Sequence, residues 1–190
     1  MEKNFFSKSL LKKIAEGNRD TFKTFYNHTY PLVYRYVGYL LPQDEDCTEV
    51  VSEVFYILWK QRASLLTVKD IKAWLYTVCR NEAYRYLKQK EKYAGISIDD
   101  MPVELHLDTR EVDSDLIEKE MFALYHEAVA GLPERCKLIF LMVREERLKH
   151  KEIAEILSIT EGTVAQQMNL AIRKIVETVK KQYPSLFEKT

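Results

Sequence analysis

The sequence predicts an all-α protein built as two small helical domains, and three observations predict it. Glycine and proline are scarce, five of each in 190 residues, and few runs alternate apolar and polar residues as half-buried strands do. Apolar residues recur instead every three or four positions over long stretches, which is helical spacing. That periodicity fades once, where Gly95, the Asp99-Asp100 pair and Pro102 mark a connector. The expected organisation is a domain over 1–93, an acidic linker over 94–113 and a second domain over 114–183.

Phe5 to Ala15 reads as a short amphipathic helix, closed by the turn pair Gly17-Asn18. Asp20 to Leu41 follows with a stripe of Phe22, Phe25, Tyr26, Tyr30, Val33, Tyr34, Val37 and Leu40, and Pro31 is expected to kink it or start a new segment. Beyond the break at Pro42-Gln43-Asp44, Glu45 to Arg62 shows a broad apolar face from Val50 to Trp59 and, on the other side, Asp46, Glu49 and Glu53 as a solvated face. A loop is expected over Ala63 to Asp70. Ile71 to Lys92 is then a long helix that mixes Trp74, Tyr76, Tyr84 and Tyr86 with Arg and Lys. After the linker, Leu116 to Ala130 forms a helix that Gly131 ends, and Pro133 suits the first turn of the next, Glu134 to Arg144.

Lys149 to Ile175 carries the clearest signal for function. Ile153, Ala154 and Leu157 make one apolar face, Ser158-Ile159-Thr160 breaks it, and Val164, Met168, Ile172, Ile175 and Val179 resume it. Thr160 is a good N-cap, with Glu161 favourably placed in the first turn. This is helix-turn-helix spacing. A second helix seated in a major groove would offer Thr163, Gln166, Gln167 and Asn169 to base edges or phosphates. The alternative for this stretch is an ordinary helical hairpin buried in a core.

Charge is distributed unevenly beneath a formal net of zero, 29 basic against 29 acidic residues. Lys69 to Lys92 holds seven basic and three acidic residues, a balance of +4, and a second basic block lies between Arg135 and Lys181. Tyr93 to Met121 has nine acidic residues against two basic, a balance of −7. Weak binding to free DNA is expected from that offset. Aromatic rings interleaved with cations, as from Ile71 to Lys92, suit single-stranded DNA, where rings stack on unpaired bases and cations meet phosphates. The same rings could instead be core residues beside a solvated basic face.

Other classes find little support. No apolar run approaches the roughly 18 residues that a membrane span needs, and Met1-Glu2-Lys3-Asn4 leads into an amphipathic stretch, so a cytoplasmic protein without membrane insertion is expected. Cys47, Cys79 and Cys136 are widely spaced with no CxxC pair and read as core thiols, and the four histidines are scattered, so no metal site is expected. Phosphate loops, nucleophile elbows and zinc-protease patterns are lacking, which argues against an enzyme, a cofactor or a small-molecule substrate.

Four segments together resemble the sigma-70 family of RNA polymerase sigma factors, in its extracytoplasmic-function (ECF) subfamily. Asp20-Thr21-Phe22 through Tyr36, EDCTEVVSEVFYILW (Glu45 to Trp59) and IKAWLYTVCRNEAYRYLK (Ile71 to Lys88) are similar to that family's region 2. The segment from Leu132 to Ile175 is similar to its region 4. The resemblance implies a non-catalytic, alternative sigma factor whose two helical domains, a region 2 bundle and a region 4 helix-turn-helix, straddle core RNA polymerase. It implies that Asp46, Glu49 and Glu53 face the clamp helices of the largest polymerase subunit, and that the second domain meets the flap of the second-largest. The loop Ala63 to Asp70 would hold a flipped base of the minus-10 element, with Lys69, Trp74, Tyr76, Arg80, Asn81 and Arg85 along the melted strand. Thr163, Gln166, Gln167 and Asn169 would enter the minus-35 major groove, with Arg173 and Lys174 near phosphates. The acidic linker would thread the polymerase cleft. A membrane-anchored anti-sigma factor, which holds many members of the family, is a further candidate partner.

The chain departs from the family at several positions. Ala165, Gln167 and Leu170 stand where Lys or Arg is frequent, which shifts readout toward Gln and predicts an adenine contact upstream. Thr77 and Ser52 replace residues commonly basic and Gln, and Ser158 stands where Gly is usual in the turn. Two other classes compete with this reading, a DNA-binding regulator with a sensing or dimerising N-terminal half and a helical interaction protein. Exposed aromatics beside Arg between Ala63 and Lys92 would separate them.

Overall fold

The computed structural model describes residues 5–41, 43–90, 103 and 116–184, the last range without the side chains of 116–119 and 121. The expected acidic linker therefore lies, Val103 apart, outside the described residues. The chain divides into two compact units, residues 1–96 and 97–190. All regular structure among the described residues is helical.

The first unit holds α1 (Lys8–Ala15), α2 (Arg19–Leu40), α3 (Asp44–Lys60), a 3-10 helix (Arg62–Thr67) and α4 (Ile71–Gln89). Helices α2, α3 and α4 pack against one another, and α1 lies against the 3-10 helix. Their shared interior holds Phe25, Val33, Tyr36, Val51, Val54, Leu58 and Leu87, each at most 2 % exposed. Side-chain caps start two of these helices: Asn18 accepts from the Thr21 N–H at 2.8 Å, and Asp70 from the Ala73 N–H at 3.0 Å. Gly17 reverses the chain between α1 and α2 at φ 87°, a left-handed conformation that costs a glycine nothing.

Two local expectations change here. The helix α2 runs on through Pro31 with no new segment, because Pro31 sits on the exposed side, where its missing N–H is least costly. The stretch after α3 is not a plain loop, for Arg62 to Thr67 winds as a 3-10 helix held from within. Ser64 Oγ donates to the Gln61 carbonyl at 2.8 Å, Thr67 Oγ1 donates to the Ser64 carbonyl at 2.7 Å, and Leu65 is buried beneath.

The second unit holds α5 (Leu116–Ala130), α6 (Glu134–Arg144), α7 (His150–Leu157) and α8 (Glu161–Gln182). Each of α5, α6 and α7 packs against α8. Ile139, Leu141, Met142, Ile153, Ile156, Val164 and Ala171 are fully buried there. Cys47, Cys79 and Cys136 are buried thiols outside any disulfide among the described residues, as expected of core thiols. Burial, with Asp44 and Asp46 nearby, pushes the Cys47 thiol up to about 11. Among the described residues, no helix is long and apolar enough to cross a membrane, and no cluster of His, Cys, Asp and Glu could hold a metal ion.

Candidate nucleic-acid interface

Helix α8 presents a readable face because of how its turn is built. Helix α7 ends at Ser158 in the left-handed region, φ 55° and ψ 44°, and Ile159 N–H returns to the Ala154 carbonyl at 2.9 Å. Thr160 then caps α8, its Oγ1 accepting from the Thr163 N–H at 3.0 Å. Val164, Met168 and Ala171 turn inward, and Gln166, Asn169 and Arg173 lie on the opposite, exposed side.

The other expected contacts of α8 are less open. Gln167 and Lys174 are half-buried on its flank, where the Gln167 carbonyl accepts from Cys136 Sγ at 3.3 Å. Thr163 is engaged by the cap, its Oγ1 lying 2.9 Å from that of Thr160. Ile172 does not continue the core stripe, since it is 43 % exposed and the buried row steps to Ala171.

A left-handed Ser costs a non-glycine residue energy that glycine avoids. Ser158→Gly is accordingly expected to stabilise the second unit by about 0.5–1 kcal/mol, read as a higher thermal midpoint. A lower midpoint would show that the Ser side chain holds the turn.

Helix α4 supplies a second surface. Trp74, Asn81 and Arg85 share its open side at helical spacing, with Trp74 half-buried and the other two exposed. Arg85 is tied to Glu82, Nε to Oε2 at 2.7 Å, and is half exposed. Arg80 sits at the edge of the packed side, where its Nε and Nη1 are buried with no hydrogen-bond partner among the described residues. Lys69 is exposed just before the cap residue Asp70, and Lys88 lies over the Tyr84 ring at 4.6 Å.

The structure moves two expected residues off these surfaces. Tyr76 does not line the open side of α4, because it turns inward with Ala73, Leu75 and Cys79 and packs edge-on against Tyr36, ring centroids 4.6 Å apart. Asp46 does not belong to the solvated face of α3, being 3 % exposed. It accepts from Tyr86 Oη at 2.9 Å and from Lys90 Nζ at 2.6 Å, which ties α3 to the end of α4. The bond to Asp46, supported by Tyr86, holds the Lys90 ammonium well above the usual lysine range.

Of the three expected carboxylates, Glu49 is exposed and accepts from Tyr86 Oη at 3.0 Å, and Glu53 is half-buried. Both line a groove of about 520 Å³ with Ser52, Tyr56, Arg85 and Gln89. Tyr56, 56 % exposed, escaped the sequence reading although it follows Glu49 and Glu53 on the same stripe, and Leu66 of the 3-10 helix is 51 % exposed. An exposed aromatic at i+7 and i+3 from two carboxylates was the available signal.

Both units match models of known protein families. The family model for sigma-70 region 2 matches residues 25–93, and that for sigma-70 region 4 matches residues 122–175. The chain is 24 % identical over 190 residues to the ECF RNA polymerase sigma-E factor of Haemophilus influenzae, covering 93 % of this chain and 96 % of that one. It is 28 % identical over 179 residues to RNA polymerase sigma factor SigV of Bacillus subtilis, covering 91 % and 93 %. Among solved structures, CnrH in complex with the cytosolic domain of CnrY superposes with a TM-score of 0.61 at 14 % identity, covering 93 % of this chain and 98 % of that one. The sigma factor RpoE in complex with the anti-sigma factor NepR, from Bartonella quintana, gives 0.61 at 19 % identity, covering 84 % and 96 %.

Proposed function

We propose a residue-level mechanism from one premise: the chain belongs to the sigma-70 family and is an alternative sigma factor of the extracytoplasmic-function kind, directing transcription initiation. Core RNA polymerase and promoter DNA are the partners that this membership brings. In the proposed division of labour, residues 1–93 bind core polymerase and the minus-10 element, residues 94–113 connect, and residues 114–183 read the minus-35 element.

The observation that carries this reading is the pairing, in one chain, of two open helical faces with different chemistry. On α8, Gln166 and Asn169 offer amide donors and acceptors to base edges, and Arg173 a cation to phosphate, with Lys174 and Gln167 supporting from the flank. On α4, Trp74 offers a ring for stacking, Asn81 an amide, and Arg80 and Arg85 cations for the strand that melting exposes. The 3-10 helix with its exposed Leu66 lies next to α4 in sequence and is the proposed seat of a flipped base.

Polymerase binding is assigned to the groove of Glu49, Glu53 and Tyr56, with Asp46 acting beneath it as a positioning residue for α3 and α4. The second domain is assigned to the flap of the second-largest subunit. The factor adds no catalysis of its own, since binding energy alone suffices to hold promoter DNA open against polymerase. We further propose a cytoplasmic location and regulation by an anti-sigma factor, anchored in the membrane. Two solved relatives, each captured with a protein partner, support the regulatory part.

The test is promoter selection followed by substitution in α8. Gln pairs bidentately with adenine, so an A is expected in the upstream element, and Gln166→Ala should lower affinity for it roughly 5- to 150-fold, the worth of one bidentate base contact. A preference for G and C alone, or an unchanged affinity, would remove Gln166 from base readout.

A further inference from the structure

We propose that Glu134 and Lys137, at the start of α6, form a clamp for the main chain of a connecting segment, and that its occupant is this chain's own Val103. The Val103 N–H donates to Glu134 Oε2 at 2.5 Å, and the Val103 carbonyl accepts from Lys137 Nζ at 3.1 Å. Both main-chain polar groups of one residue are thus met by two side chains a single helical turn apart. Val103 itself is 5 % exposed within the second unit, so an apolar side chain is covered at the same point.

The chemistry of Lys137 gives the clamp its force. Lys137 is 7 % exposed, and a buried ammonium without an acceptor is strongly disfavoured. Its bonds to the two Glu134 oxygens are longer, 3.4 Å each, and Glu134 is half exposed. The Val103 carbonyl is the shorter, shielded partner. Glu134 contributes twice, as acceptor for the Val103 N–H and as counter-charge for Lys137. Such a site asks for a residue that has a main-chain N–H, which excludes proline, and for a compact apolar side chain.

The clamp fixes Val103 to the start of α6, within the second unit. This role does not depend on the promoter contacts proposed above.

Residue-resolved amide hydrogen exchange on the full chain tests it. In the native protein the Val103 amide should exchange at least ~10-fold more slowly than an unstructured amide. Glu134→Ala should bring it to within ~3-fold of the unstructured rate, with the amides of α6, α7 and α8 still protected. If that variant unfolds α6, Lys137→Met decides the matter, since it keeps length and apolar packing but removes the donor to the carbonyl, and Val103 protection should fall at least ~3-fold. Val103 exchanging at the unstructured rate in the native protein, or protection unchanged in Lys137→Met, would overturn the proposal.

Discussion

Replacing Arg80 and Arg85 together by alanine should abolish promoter opening and leave affinity for the upstream duplex within about twofold, because the two surfaces belong to separate units and share no partner. Each cation should contribute about 1.5–3 kcal/mol through a charge-assisted bond to phosphate. Loss of both lowers the population of melted complex roughly 10²- to 10⁴-fold. Stability separates this role from a structural one. The Nε and Nη1 of Arg80 are buried with no hydrogen-bond partner among the described residues, so the fold gains little from keeping the charge there. Arg85 is half exposed and, among the described residues, paired with Glu82, an arrangement worth less than about 1 kcal/mol. The double variant should therefore melt at nearly the native temperature. A drop in thermal midpoint matching the drop in promoter opening would instead make Arg80 a packing residue.

Ile153→Ala is the second large effect, and it falls on the other unit. Ile153 is fully buried on α7, where α7 packs against α8. Truncating a buried Ile to Ala costs about 2–5 kcal/mol. A helical unit of this size has a total stability of about 3–5 kcal/mol, so most of it is lost. Amide exchange should show α5 to α8 opening together while α1 to α4 keep their protection. Upstream duplex binding should disappear with them. Protection falling equally in both units would mean that the two do not unfold independently.

Helix placement was largely legible in the sequence, since periodicity and end signals depend on neighbours within a few residues. Thr160 caps α8 and Gly131 ends α5 as their identities suggest, whereas Asn18 and Asp70 prove to be N-caps that periodicity alone did not mark. Periodicity failed where packing reached beyond one stripe. Helix α4 meets both α2 and α3, so its buried face widens to take in Tyr76, whose partner Tyr36 lies 40 residues earlier. Asp46 failed for a related reason. Nothing near it in sequence indicates that Tyr86 and Lys90, 40 and 44 residues away, arrive to satisfy a buried carboxylate.

The candidate site divides in the same way. The exposure of Gln166, Asn169 and Arg173 was legible because they lie opposite Val164, Met168 and Ala171 on one helix. Gln167 and Lys174 fall on a flank that only the packing of α6 against α8 defines. The Val103 clamp was invisible, since it joins one main-chain residue to side chains 31 and 34 positions later.

The central claim is that this one chain gives core RNA polymerase a promoter. Run-off transcription with purified core polymerase, on a pool of upstream DNA from the source genome, with and without the protein, tests it most directly. The account predicts new transcripts that start at discrete sites sharing two upstream elements, one containing adenine. Absence of new transcripts together with no binding to core polymerase would contradict it.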